Sequence, residues 1–445
     1  MLMEERNEKT VAWPLVGIEA EFHLIDMQGN ITNRADQLLL PLREKYPKIG
    51  YQQEVALNML EIANYPHMSI PNTIENIIDA IHAALEIGKD QDVMLYPFGT
   101  YPGAFEPQFR PKLYYKILQR VLGDDRFPIT GRCVGYHSHF SLPPEIYDPE
   151  TRELRLVGDR KIEEKIVNIY NMAVAFDPIL EALMQSSPFY QGRFLGNDSR
   201  VIVDYGDPQF DYPQGLFTNH QEFGGHLSFA NNYSDLYFSI KNQQKTWSDL
   251  AHNVLEKNES IPPIHMLKCQ WNPHRINSIG TIEFRCMDTN LPSLLAAATQ
   301  LTRTTFETLQ NRELKVIPGE TGDEHPFILK ENRLYVPSLE KINNVLIPRG
   351  AYEGLKNDCV YENIKEFFAF LKPFIKERER PLLKPFYQML KKRRTVADEI
   401  METAKKVGYR TGKELTNDQV RRLALYGAKR LRQDIDQTRK ILHMK

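Results

Sequence analysis

The sequence lacks most of the features that announce a chemistry. Among 445 residues only Cys133, Cys269, Cys286 and Cys359 are cysteine, far apart and without a CxxC pair. That excludes a thiolate zinc site and a disulfide scaffold, and predicts a reducing, cytoplasmic compartment. Glycine-rich phosphate loops are missing: there is no GxGxxG, and the nearest approach to GxxxxGK[ST], Gly408 to Lys413, is one residue short and runs into Glu414. No apolar run of about 18 residues appears, which argues against a membrane-spanning helix. The N-terminal stretch, Met1 to Thr10, is charged where a signal peptide would be apolar. Internal repeats and low-complexity tracts are also absent. What remains, 42% hydrophobic and 26% charged, is the composition of a globular chain long enough to bury a sizeable core.

The net charge of −2 hides an asymmetry. Residues 376–445 hold 20 Lys and Arg against 9 Asp and Glu, a net +11, which leaves −13 on residues 1–375. Such a tail can meet an anionic partner, nucleic acid or a phosphate-bearing ligand. Its mixed charges and helically spaced apolar residues favour a helical appendage, 376–445, packed against the chain's own acidic body, 1–375. Nucleic acid is therefore not the expected partner.

Hydrophobic periodicity places the elements. In Leu15–Asp26, Ile18, Ala20, Phe22 and Leu24 alternate with Glu19, Glu21 and His23, which predicts a strand with one polar face. Asn72 and Glu75 read as a capping box before Ile74, Ile77, Ile78, Ile81 and Leu85. A helix is expected to start near Pro111. The segment 133–142 alternates with His137 and His139 on one face. A long helix over 161–186 is interrupted by Pro178. The Gly-, Pro- and aromatic-rich stretch 187–232 reads as a binding loop. In 280–288, Glu283 and Arg285 share one face of a third strand. A helix over 291–310, an irregular stretch over 311–350 and helices from 360 onward complete the chain. Strands dispersed among long helices, without regular βαβ alternation, predict α+β with a largely antiparallel sheet.

Two carboxylates two residues apart on a strand point the same way within a few ångströms. Facing a core, Glu19 and Glu21 repel each other unless a cation or proton lies between them. Taken alone they also describe an ordinary solvent-facing strand. The further patches Glu54 and Glu61, His137 and His139, and Glu283 with Arg285 tell against that. Strand-borne carboxylates with imidazole and no thiolate suit a hard cation, Mg²⁺ or Mn²⁺. A neighbouring arginine points to an anionic substrate, phosphate being the usual one on Mg²⁺. His137-x-His139 with Glu145 also matches half of a cupin-type metal motif, but Leu142-Pro143-Pro144 would end the strand and no second half follows.

These segments resemble the glutamate–cysteine ligases and their carboxylate–amine ligase relatives. GIEAEFHLID (17–26) is similar to the family's G-x-E-x-E-F opening and EVALNMLEIANYP (54–66) to its second acidic element. GYHSHFSLP (135–143) is similar to its histidine strand, SSPFYQGRFLGNDSR (186–200) to the S-S-P-x-x-x-G … S-x-R segment of type 2 members, and GTIEFRCMDTNLPS (280–293) to the G-T-x-E-x-R-x-x-D strand. The five occur in family order over about two-thirds of the chain. The resemblance implies a glutamine-synthetase-like fold, a curved antiparallel sheet with helices behind it, holding ATP and two or three Mg²⁺ (or Mn²⁺) ions. It implies attack of a carboxylate, glutamate by family analogy, on the γ-phosphate, and transfer of the resulting acyl phosphate to an amine. Residue by residue it implies Glu19, Glu21, Glu54, Glu61, His137 and Glu283 as metal ligands and Arg285, with Glu283, at the transferred phosphoryl group. Arg275 and His139 are implied as ATP contacts, and Arg200 and Arg132 as substrate contacts.

The chain also departs from the family pattern. Its histidine strand reads H-S-H-F-S-L where type 2 members commonly have H-V-H-V-G. After residue 311 the expected N-x-W-x-A-x-R-x-G run is replaced by ENRLYVPS and IPRGAYEG. The amine acceptor is thus left open. So is assembly, since homo-oligomers are common in this superfamily but nothing here sets a symmetry. A phosphotransferase on the same fold, or an inactive nucleotide- or amino-acid-binding sensor, would share many of these features.

Overall fold

The computed structural model describes residues 15–64, 66–320 and 326–443; the charged N-terminal stretch Met1–Thr10 lies outside the described residues. Its centre is a seven-stranded sheet: β1 (Val16–Ile25), β2 (Gly50–Gln53), β3 (Met59–Ala63), β4 (Met94–Tyr96), β5 (Gly135–Ser141), β6 (His274–Asn277) and β7 (Thr281–Asp288). The order is β6-β7-β5-β1-β3-β2, with β4 also pairing with β1, and every pairing is antiparallel. This is the antiparallel α+β arrangement that the sequence pattern predicts.

Period-two alternation decides which face is dry. Ile18, Ala20, Phe22, Tyr136, Phe140, Ile282 and Phe284 are fully buried. They meet the helices α1 (Ile70–Lys89), α2 (Arg160–Met184) and α4 (Pro292–Asn311), the short helix α3 (Ser199–Tyr205) lying between the latter two in sequence. Phe284 packs on Phe306 and Phe176 at ring-centroid distances of 5.2 and 5.7 Å, and Phe140 on Phe306 at 5.6 Å. Each such side chain contributes about 1.5–3 kcal/mol by leaving water. The glutamates and histidines therefore share the opposite face.

The structure corrects several local expectations. Helix α1 begins at Ile70, capped by Ser69, whose side chain accepts from the Asn72 backbone; Pro71 fits its first turn. Helix α2 runs unbroken through Pro178. It also holds an apolar window of membrane-spanning length and composition, but 89% of that window is buried inside the fold. Residues 187–232 contain a small hairpin, Phe189–Tyr190 with Arg193–Phe194, as well as α3. Residues 311–350 are not irregular: Lys315–Pro318 pairs in parallel with Arg333–Val336, which pairs antiparallel with Ile328–Lys330.

The basic C-terminal segment is helical and includes α5 (Arg380–Lys392), α6 (Val396–Lys406) and α7 (Asn417–Leu442). Its apolar residues, among them Leu423 and Leu431, join the same hydrophobic cluster as the sheet and α4. Asp434 accepts from the Ser293 backbone N–H (2.7 Å) and hydroxyl (2.9 Å) at the start of α4. A Cβ on Gly427 would stand 2.7 Å from the Tyr96 ring, so α7 lies directly on β4. Removing residues 417–445 is expected to abolish cooperative thermal unfolding, as followed by circular dichroism. A truncated chain melting cooperatively within about 5 °C of the full chain would show that α7 is dispensable to the core.

Candidate active site

Strand register assembles the polar face. Arg275 lies opposite Glu283, Glu283 opposite His139, His137 opposite Glu19, and Glu21 opposite Glu61. Adjacent strands lie roughly 4.8 Å apart, so side chains distant in sequence become neighbours. Glu54, in the loop after β2, reaches the Glu21 and Glu61 end. Two groups result, in each of which the potential ligand atoms lie within 4.8 Å of one another: Glu19, His139 and Glu283, and Glu21, Glu54 and Glu61. His137 stands between them, its Nδ1 3.3 Å from Glu19 and 3.6 Å from Glu283 and its Nε2 3.7 Å from Glu21.

The two groups are charged differently. Burial opposes ionisation of Glu283, but the Arg275 and Arg285 guanidiniums hold its carboxyl well below the usual range. Arg275 Nε donates to Glu283 at 2.6 Å, and Arg285 Nη1 and Asn277 Nδ2 donate as well. Glu19 is also held low, the charge of His139 and a hydrogen bond from His137 outweighing burial. His139, despite burial, is pushed up by Glu19 and Glu283. His137 is pushed down to about 4 by burial and by Arg285. In the other group, burial and then Glu54 raise Glu21 to about 8 and carry Glu61 well above the carboxylate range. One half is ionised against the protein's own cations; the other holds protons in their place.

The donor set fits a hard divalent cation. All the carboxylates come from one face, no thiol belongs to either group, and the buried Nε2 of His139 has no hydrogen-bond partner, while Nδ1 is fixed 3.0 Å from the Thr281 hydroxyl. Beside the face opens a cavity of ≈ 260 Å³ whose polar end includes Glu21, Glu54, His137, Arg200, Asp204 and Arg285. Leu118, Phe217 and Trp271 belong to its apolar wall. The buried Nε of Arg285 is likewise without a partner, a donor available to an anion.

Not every expected contact lies where the motifs suggest. His139 stands in the Glu19–Glu283 group itself. Arg275 spends its donors on Glu283 and the Gln270 carbonyl. Arg132 pairs with both Glu106 carboxylate oxygens at 2.8 and 2.9 Å and does not line the cavity. Arg200 lines it, but its Nη1 and Nη2 donate to the Cys286 and Arg285 carbonyls at 3.1 and 3.0 Å. Those two residues together face the single residue His137, a β-bulge in β7. The Pro273 carbonyl takes both of their N–H groups from the other side, so the bulge that aims Arg285 is held from both edges. Gly135 makes room for this: a Cβ there would come 2.9 Å from Arg200 Nη2, and its N–H donates to Glu21 at 2.6 Å. Sequence reasoning missed Asn277 and Asp204. The i, i+4 spacing of Arg200 and Asp204 was the one available signal for the latter.

The family model described as glutamate–cysteine ligase family 2 matches residues 15–336. A protein of Herpetosiphon aurantiacus, provisionally named glutamate–cysteine ligase 2, is 25% identical over 257 residues, 56% of this chain and 59% of its own length. One of Gloeobacter violaceus, named in the same way, is 23% identical over 337 residues, 72% of this chain and 74% of its own. This chain thus spans less than two-thirds of the Herpetosiphon relative. Among solved structures, the glutamate–cysteine ligase of Francisella tularensis in complex with AMP aligns at TM-score 0.50 with 14% identity, over 97% of this chain and 95% of that one. A bifunctional glutathione synthetase of Pasteurella multocida aligns at TM-score 0.55 with 13% identity, over 95% of this chain and 52% of that one. At these identities the structures show a shared fold.

The charge division makes a prediction. Glu21 binds its proton more tightly folded (about 8) than unfolded (4.5), so its contribution to stability is lost as pH rises toward 8. Glu61 and His139 act in the same direction, and the opposing group His137 has finished titrating by its ordinary 6.5. Metal-free protein should therefore lose thermal stability between about pH 6.5 and 8.5, and Mg²⁺ added at pH 7 should release protons into a weak indicator buffer. Mg²⁺ binding without proton release would show that Glu21 and Glu61 are already ionised.

Proposed function

The chain belongs to glutamate–cysteine ligase family 2, and from that premise we propose that it is an ATP-dependent carboxylate–amine ligase that activates glutamate as an acyl phosphate. The observation that carries this is the sheet face: two cation-sized groups of carboxylates side by side, with Arg285 presenting an unpartnered Nε beside them. The Francisella ligase of the same fold, solved with AMP, supports a nucleotide here.

Glu19, His139 and Glu283 would hold one Mg²⁺ (or Mn²⁺) and Glu21, Glu54 and Glu61 a second, and the ions would neutralise phosphate charge. A glutamate carboxylate oxygen attacks the γ-phosphorus of ATP, and the bond to the bridging oxygen breaks to release ADP. Arg285 follows the transferred phosphoryl group, since its planar fork matches phosphate oxygens. Arg275 and Asn277 keep Glu283 in place while Arg285 turns from it. The apolar wall around Trp271 keeps water from the acyl phosphate. The amine nitrogen then attacks the acyl carbon, expelling phosphate and leaving an amide. Asp204, raised to about 6 by burial against the opposing pull of Arg200, lines the same cavity and takes the proton the amine sheds.

The test is Mg²⁺-dependent ADP release with glutamate and a panel of amines, cysteine included, added one at a time. ADP appearing only with glutamate plus one amine is expected. ADP without amine dependence would make the protein a phosphotransferase, and silence with ATP binding intact would make it a sensor. Within the site, Glu61→Gln keeps the shape of the protonated carboxyl and removes the need to hold a proton there, together with the capacity to bind a cation. Its melting temperature should be equal to or above that of the parent, with ADP release down by about a hundredfold or more. Unchanged turnover would remove Glu61 from the site.

A further inference from the structure

Helix α5 carries four cations, Arg380, Lys384, Lys391 and Lys392, and no acidic residue. None of the four is in an ion pair among the described residues. That sets α5 apart from much of the basic tail, where Arg393 pairs with Asp358, Arg394 with Glu402, Arg430 with Glu399 and Arg439 with Asp79. Lys384, Gln388 and Lys392 recur at four-residue intervals, so they form one stripe. The stripe is one wall of a cavity of ≈ 650 Å³ between α5, α6, α7 and the start of α4, larger than the cavity beside the sheet. Buried Leu291, Leu294 and Val396 contribute apolar surface to it, and Arg394 and Arg430 line it as well. Its two acids are already engaged: Glu399 by Arg430 and the Tyr426 hydroxyl, Asp434 by Ser293 and Thr438. The charge left over in this cavity is positive, carried by flexible ammonium groups above an apolar floor.

We propose that this cavity is a second ligand site, for a phosphorylated small molecule. The phosphates lie along Lys384, Gln388 and Lys392, and an apolar portion rests on Leu291, Leu294 and Val396. Ammonium groups on mobile stems suit a phosphate chain of variable geometry, which they meet as point charges. A volume in the range of small-molecule pockets, with an apolar floor and a few polar groups, suits one molecule better than an extended polymer. This site is independent of the ligase reading, since it shares no residue with the sheet face.

Inorganic triphosphate, titrated calorimetrically into the metal-free full chain, is the probe. One saturable site is expected, retained in Arg285→Gln and weakened at least about tenfold in Lys384→Ala/Lys392→Ala, with the melting temperature of the double variant unchanged. Both lysines are exposed, so their loss leaves the core intact. Absence of saturable binding, or binding lost in Arg285→Gln and kept in the double lysine variant, would overturn the proposal. Citrate binding as tightly as triphosphate would overturn the assignment to phosphate.

Discussion

Like charge, buried on one face of a sheet, is the constraint around which the molecule is organised. Glu19, Glu21, Glu61 and Glu283 lie on neighbouring strands with Glu54 beside them, and burial acts against ionisation of each of the four strand carboxyls. Five carboxylates so placed cannot all be ionised without compensation. The chain supplies it unevenly: two guanidiniums and an imidazole serve Glu283 and Glu19, while Glu21 and Glu61 face Glu54. A divalent cation entering the first half would compete with the protein's own cations, and one entering the second half would compete with protons. Cations held at the two positions would therefore differ in affinity and pH dependence, one facing an imidazole and two carboxylates and the other three carboxylates.

The rest of the architecture keeps this face in register. The histidines meet their glutamates across strands, so a one-residue slip of β5 would turn His137 and His139 into the core and bring Ser138 out. Packing of Phe140, Phe284 and Phe306 on the far side prevents that slip. The bulge in β7 breaks the regular register where Arg285 stands, and it is secured by Arg200 and Pro273. The arginine of the S-x-R segment acts here through backbone carbonyls and so sets where Arg285 points. Its motif implies a substrate contact, and the same side chain also lines the cavity.

Legibility in the sequence followed interaction range. Alternation in Leu15–Asp26, 133–142 and 280–288 disclosed the strands and which residues share a face, because that depends only on a period of two. It could not disclose which strand lies beside which, so His139 went unrecognised as a neighbour of Glu283 and Arg275 as its clamp. His23, on the same face as Glu19 and Glu21, is instead engaged by the Arg132 carbonyl and Asn58, contacts made by chain more than 30 residues away. The small sheet between Lys315 and Val336 was missed because its strands are short and one of its two pairings is parallel. The start of α1 was misplaced because Asn72 and Glu75 imitate a cap that Ser69 provides. Resemblance implied which of these residues act together as cation ligands, which single-strand periodicity could only suggest.

The division of labour within the cavity bears on what the acceptor is. Its charged end is built from the strands, Glu54 and Arg200, all inside segments that carry the family resemblance, with Asp204 one turn beyond. Its apolar wall comes from elsewhere: Tyr114, Tyr115, Leu118 and Leu122 on or beside the helix Leu113–Leu122, Leu216 and Phe217, and Trp271. A thiol-bearing amine needs little such surface, whereas a bulkier apolar side chain would use all of it. Phosphoryl chemistry makes strict demands on the carboxylate face and few on this wall. On the proposed ligase reading the wall could vary with the acceptor while the face stays as it is, and Phe217 and Trp271 would be where the amine is chosen.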